Sequence, residues 1–241
     1  MFFRRIVFSA LLVGGLSGLL LTAVQLWQVM PILQSAERFE GEPASAPSHD
    51  HATHEHPTEP WAPADGIERT GFTLLTNVLT AAGLALVVIA AMVASLKANP
   101  PTSLNWRHGV LWGAAGYTVF FLAPALGLPP EIPGAAAAPL EGRQLWWLFA
   151  VVCTATGLAG AAFGKSYWRW AALVLLVVPH LVGAPHPSTA MFAGQPPDAA
   201  AELTDLARQF IAATAVATAV LWLALGLSSV WTVRRFVEPS D

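Results

Sequence analysis

Charge is what this sequence has least of. Only 11% of its 241 residues are charged and 55% are hydrophobic, whereas about a quarter of an average soluble domain is charged. The single cysteine, Cys153, excludes an intrachain disulfide. A basic patch that would neutralise phosphates is also missing, which argues against nucleic acid as a partner. A chain so poor in charge is expected to fold in the lipid bilayer.

Five apolar runs reach the length of about 20 residues that a helix needs to cross a ~30 Å hydrocarbon core. They cover residues 6–29, 72–96, 109–126, 145–164 and 210–231. A sixth run, residues 170–182, is shorter and contains Pro179, so a crossing, a re-entrant segment and a buried half-helix remain open. The expected fold is all-α, a polytopic transmembrane helical bundle of six spans, with five possible.

The distribution of basic residues favours six spans with a cytoplasmic N-terminus, because the positive-inside rule then holds. Eight basic residues would lie inside and four outside: Arg4, Arg5, Lys97, Arg107, Lys165, Arg169, Arg234 and Arg235 against Arg38, Arg69, Arg143 and Arg208. The predicted organisation is a first transmembrane helix over residues 1–33, a His-rich outer loop over 34–69, a five-helix bundle over 70–236 and a cytoplasmic tail over 237–241.

Small residues at four-residue spacing predict close helix contacts, because they let helix backbones approach each other in lipid. Three glycine pairs of this kind occur inside the apolar runs: Gly14 with Gly18, Gly109 with Gly113, and Gly160 with Gly164. Together the pairs favour a packed bundle over separate helices.

A dense histidine cluster lies in the polar segment between the first two runs. The stretch SHDHATHEH, residues 48–56, contains His49, Asp50, His51, His54, Glu55 and His56. Prolines recur through residues 34–69, which excludes a continuous helix and predicts an extended, disordered loop. Neutral imidazole binds zinc, copper, nickel and cobalt, so a short His-rich tract is typical of metal binding.

Flexibility favours capture and hand-over of the metal, because ordering a mobile loop costs roughly 1–2 kcal/mol per fixed residue. Protonated imidazole cannot bind a metal, so uptake through the loop should weaken as pH falls through about 6.5. The alternative is a solvated loop whose histidines bind nothing or act only as a pH-responsive charge.

Two further histidines are expected on the same side as the loop. His180 follows Pro179, and an ionisable side chain beside a broken helix in a bilayer indicates a transport pathway. A snorkelling His180 bonded to a neighbouring carbonyl explains it equally well. His186 follows in GAPHP, and Pro124 is expected to break the third span with Glu131 beside it. These residues would line a mouth that receives an ion from the loop.

Several longer motifs are specific in combination. They are LTAVQLWQVMPILQSAERFE, WAPADGIERTGFTLLTNVLT, FLAPALGLPPEIPG, RQLWW and PHLVGAP, spread with the His-rich loop over residues 21–222. They resemble the CbtA family of probable cobalt transporter subunits, which is usually described with five spans. Among the residues that match these motifs, Asp65 and Glu68 are expected to add oxygen ligands near the outer entrance.

The resemblance implies a multi-pass protein of the bacterial inner membrane that takes up cobalt for cobalamin biosynthesis. It also implies a small partner subunit, CbtB, with its own His-rich segment. Cobalt or another divalent transition metal would be the transported ion, and no resident cofactor is implied.

The first hypothesis is therefore a transporter subunit that passes a divalent metal inward after the His-rich loop has captured it. The alternative is a membrane-anchored metal sensor or receptor without transport activity. An enzyme is the weakest interpretation, because no fixed three-ligand metal set with an open position is visible.

Overall fold

The computed structural model describes residues 2–39, 63–98 and 104–237, and in these ranges the chain forms helices and connecting segments without a β-strand. The prediction of a helical membrane bundle is confirmed. The histidine cluster of residues 48–56 lies outside the described residues, and so do its predicted ligands His49, Asp50, His51, His54, Glu55 and His56.

Six helical segments follow one another in the described ranges. They are α1 (Phe2–Glu37), α2 (Ile67–Ala98), α3 (residues 106–125), α4 (Leu140–Phe163), α5 (Trp168–Val182) and α6 (Pro197–Val237). By length and composition α1, α2, α4 and α6 can each cross a membrane, and α5 is a shorter apolar helix. The number of crossings, six or five, stays a prediction.

Two helix ends differ from the predicted boundaries at residues 33 and 70. The first helix continues to Glu37, and α2 already begins at Ile67. Glu37 at the end of α1 forms an ion pair with Arg69 in the first turn of α2. This contact between two distant segments, which the apolar runs do not encode, joins the extended ends of the two helices.

Widened helical turns precede the prolines of α1 and α3. Five-residue π-helical turns, Gln25–Val29 and Thr118–Leu122, stand just before Pro31 and Pro124, and each ends in a backbone hydrogen bond that reaches five residues back. Proline offers no N–H and clashes with the carbonyl four residues before it. The wider turn relieves this conflict, so Pro124 lies within the last turn of α3, which ends at Ala125.

Helix α5 returns along α4 in the opposite direction. Near the end of α4, Arg169 Nε donates to the carbonyl of Ala161 at 2.9 Å. Near the start of α4, Trp146 Nε1 donates to the carbonyl of Pro179 at 3.3 Å. The chain thus comes back to the end of the bundle where α4 begins. The 15 residues of α5 would span only about 22 Å as a helix, which is less than the ~30 Å hydrocarbon core.

The core lies between α1, α2 and α6, where Val13, Ile89, Met92, Leu225 and Val233 are fully buried. Helix α3 packs on α6, and α4 packs with α5. The first two predicted glycine pairs are confirmed as contact points. A Cβ added at Gly14 would lie 2.3 Å from Ala82 Cα, and one added at Gly113 would lie 2.6 Å from the carbonyl oxygen of Trp222.

The third predicted pair is only half right. Gly160 faces α5, because a Cβ there would lie 2.5 Å from Ala172 Cβ. Gly164 instead follows the end of α4, where its N–H donates to the carbonyl of Gly160 at 2.8 Å. Gly157 is the second close contact with α5, because a Cβ added there would lie 2.3 Å from Leu176 Cδ1. Because α4 ends at Phe163, Gly164 approaches only the side chain of Arg169 in α5, where an added Cβ would lie 3.4 Å from Cγ.

Candidate functional site

The two ends of the bundle differ in charge. At the end that we call the arginine end, Arg4, Arg5 and Arg235 line one groove and Lys97 lies over the ring of Phe2. At the opposite end, which we call the loop end, α1 finishes and α2, α4 and α6 begin. The motif residues predicted to handle metal lie at the loop end.

The loop end is covered by a small second core. Ala36 of α1 and Leu203 of α6 pack against Ile132 and Phe192, which belong to the segments joining α3 to α4 and α5 to α6. A backbone hydrogen bond of 2.8 Å from the Ala136 N–H to the Met191 carbonyl ties these two segments together. The segments are therefore held in place over the ends of the helices.

Arg69 binds two carboxylates at the start of α2. Its guanidinium donates two hydrogen bonds to Glu37, one of them 2.9 Å from Nη1 to Oε2, and a third of 3.1 Å to Asp65. The guanidinium of Arg69 is thus shared between Glu37 of α1 and Asp65, which precedes α2. Asp65 thus faces a fixed positive charge, which weakens its attraction for a second cation.

Glu68, the second predicted oxygen ligand, is exposed in the first turn of α2 and has no ion-pair partner in the part of the chain that the structure describes. The two carboxylates thus differ in their surroundings, because Asp65 forms an ion pair with Arg69 and Glu68 does not. Their role as metal ligands stays a prediction.

A cavity of about 610 Å³ opens between α3 and α4 at the loop end. Pro124 and Glu131 both line it, as the sequence predicted, together with the aromatic rings of Phe120 and Trp147. Glu131 forms an ion pair with Arg143 at 2.8 Å inside this cavity. The cavity is thus mainly apolar with one compensated charge pair, which suits a passage or docking recess better than a tight metal site.

His180 and His186 do not line this cavity. The half-buried ring of His180 meets Trp146 edge-on, with centroids 6.0 Å apart, and His186 is exposed. Within residues 2–39, 63–98 and 104–237, no three His, Cys, Asp or Glu side chains are grouped so that they could hold a metal. The predicted ligands His180, His186, Asp65 and Glu68 therefore do not form one centre by themselves.

A polar network deeper between α1 and α2 was missed from the sequence. Asn77 Nδ2 donates to Thr22 Oγ1 at 3.0 Å and to Gln25 Oε1 at 2.6 Å, and Thr22 donates on to the carbonyl of Gly18. The Oε1 atom of Gln28 is buried nearby in sequence, on the same widened turn, without a hydrogen-bond partner in the described residues.

The signal for this network was available, because amide side chains are rare in otherwise apolar spans and mark functional or helix-joining positions. The oxygens of this network are neutral, so they offset little of the free energy needed to dehydrate a divalent cation. The arrangement is best suited to joining α1 to α2.

Comparison with known proteins gives one match. A family model described as probable cobalt transporter subunit (CbtA) matches residues 3–234, nearly the whole chain. No curated protein and no solved structure matches.

Proposed function

The chain belongs to the CbtA family of probable cobalt transporter subunits, and from this membership we propose that it carries Co²⁺ inward across the bacterial inner membrane for cobalamin biosynthesis. The match over residues 3–234 is the observation that carries the proposal. The four helices that are long and apolar enough to cross a membrane support it.

The proposed orientation places the arginine end in the cytoplasm and the loop end outside. Arg4, Arg5, Lys97 and Arg235 gather at one end of the bundle, and the positive-inside rule assigns such an end to the cytoplasm. The His-rich loop joins α1 to α2 at the other end, from which external metal arrives.

The proposed entry step is capture of the ion by His49, Asp50, His51, His54, Glu55 and His56. Hand-over to the loop end then involves Asp65, Glu68, His180 and His186. Pairing of Asp65 with Arg69 and of Glu131 with Arg143 supports transient contact over storage, because each arginine offsets the charge of its carboxylate.

The proposed energy source is the membrane potential. Moving one elementary charge across 100 mV is worth about 2.3 kcal/mol, so a divalent cation gains about 4.6 kcal/mol and accumulates roughly 10³-fold.

A small His-rich membrane subunit of the CbtB kind is the proposed partner, since a transporter subunit acts with another chain.

Radiocobalt uptake into cells that express the protein, alone and with the CbtB-like partner, tests the proposal. We expect accumulation above that of empty-vector cells, lost when the membrane potential is collapsed with an ionophore. Accumulation equal to the empty vector in both cases would contradict transport.

The loop has its own test, which also addresses a receptor without transport activity. Replacing the four loop histidines by asparagine keeps the loop length and should raise the half-saturating cobalt concentration about tenfold or more, with some flux retained. Thr53→Ala and Thr58→Ala in the same loop are matched controls that should leave uptake unchanged. If neither the wild type nor any variant shows flux while the wild type still binds cobalt, the protein is a receptor.

A further inference from the structure

A groove at the arginine end has no role in the transport proposal. It lies between the first turns of α1 and the last turn of α6, has a volume of about 610 Å³, and is lined by Arg4, Arg5, Phe8, Arg235 and Phe236. Segments far apart in sequence thus build one recess that combines guanidinium groups with aromatic rings. The folded chain therefore has a small basic patch, which the sequence analysis did not predict.

The charges in this groove are of one sign. Arg69, Arg143 and Arg208 each form an ion pair with a carboxylate, whereas Arg4, Arg5 and Arg235 form none within the ranges that the structure describes. Three neighbouring guanidinium groups repel one another. An anion placed between them would remove that repulsion and accept several charge-assisted hydrogen bonds.

The surroundings of the groove are those of a membrane interface. Phe3 is 76% exposed and Phe8 is 70% exposed on α1. On α6 the exposed ring of Trp231 meets Phe236 edge-on, with centroids 5.7 Å apart. Aromatic rings beside arginines at helix ends are typical of the level where lipid headgroups meet acyl chains. The occupant must therefore offer an anionic group and apolar chains together.

We propose that this groove binds an anionic phospholipid, with its headgroup phosphate between Arg4, Arg5 and Arg235 and its acyl chains along Phe8 and Phe236. Guanidinium groups match the geometry of phosphate oxygens through paired hydrogen bonds. Basic pockets between transmembrane helices on the cytoplasmic side are known to hold such headgroups. The lipid joins the first and last helices, so it stabilises the closed bundle.

Native mass spectrometry of the detergent-purified full chain tests the proposal, with phosphatidylglycerol and phosphatidylcholine titrated separately. We expect phosphatidylglycerol to bind at least tenfold more tightly than phosphatidylcholine. Arg4→Gln and Arg235→Gln should each weaken phosphatidylglycerol binding about fivefold. Arg107→Gln is the matched control, because Arg107 is exposed at the start of α3 and lies over Trp106, outside the groove, so it should leave binding unchanged.

Thermal unfolding gives a second readout that does not depend on counting bound lipids. Phosphatidylglycerol should raise the melting temperature of the wild type and of Arg107→Gln, but not that of the double variant Arg4→Gln/Arg235→Gln. Equal binding of both lipids, or equal weakening by Arg107→Gln, would overturn the proposal. Full displacement of phosphatidylglycerol by millimolar inorganic phosphate would likewise overturn it, because the ligand would then be a free anion.

Discussion

Replacing Gly14 by alanine tests whether α1 and α2 touch as the structure shows. The new Cβ would lie 2.3 Å from Ala82 Cα and 2.4 Å from Ala82 N. Carbon atoms in favourable contact are about 3.5–4.0 Å apart. The backbones must therefore separate by about 1.2 Å or more, because the obstructing atoms belong to the main chain of Ala82.

The expected cost follows from three contributions. Overpacking of this kind costs about 1–3 kcal/mol. Separation of the helices also stretches the 3.0 Å hydrogen bond from Asn77 to Thr22, and such a bond in a membrane protein contributes about 0.6 kcal/mol. Alanine recovers at most about 1 kcal/mol of helix propensity over glycine. We expect Gly14→Ala to lower the free energy of unfolding by about 0.6–2.6 kcal/mol.

Gly15→Ala is the matched control, since a Cβ built there would meet nothing within 4 Å beyond the adjacent backbone of its own helix. It should leave stability unchanged or raise it by up to about 1 kcal/mol. Far-UV circular dichroism during titration of the detergent-solubilised protein with SDS measures both variants. If Gly14→Ala proves as stable as Gly15→Ala, the close approach of α1 and α2 is wrong.

Three further predictions concern the loop end and the polar network. Arg69→Gln should lower the free energy of unfolding by about 1 kcal/mol. In a double-mutant cycle with Glu37→Gln, the two losses of stability should not add; if they add, the ion pair contributes nothing. Asn77→Leu removes two hydrogen bonds and should lower the free energy of unfolding by about 1 kcal/mol, as measured by the same SDS titration. Asn77→Gln should lose less stability, because its amide can still donate; equal losses in the two variants would contradict the network. Radiocobalt uptake should fall between pH 7.5 and 5.5, because imidazole protonates near 6.5 and then binds no metal. An unchanged pH profile after replacement of the histidines in residues 48–56 would place the sensitive group elsewhere.

Helix positions followed from local sequence alone. Each apolar run coincides with one of α1 to α6, because the length of an apolar run and its flanking charges are local properties that decide whether a helix enters a bilayer. The helix ends agree less well, since α1 continues 8 residues past its run and α6 begins 13 residues before its run. The motifs that resemble the CbtA family are also contiguous stretches, and the family match over residues 3–234 confirmed that resemblance. The glycine pairs on α1 and α3 were correct for the same reason, since four-residue spacing is a property of one helix.

The partners of side chains were decided only by the tertiary structure. Arg69 binds Asp65 together with Glu37, which lies on a different helix, and the role of Asp65 as a metal ligand stays a prediction. Gly164 does not pack inside α4 as predicted because the helix ends before it, and Asn77 became the centre of a network with α1. Arg4 and Arg235 come from opposite ends of the chain and meet in one groove. Local sequence determines where a helix forms in a membrane, whereas the packing of distant segments determines which charges and amides find each other.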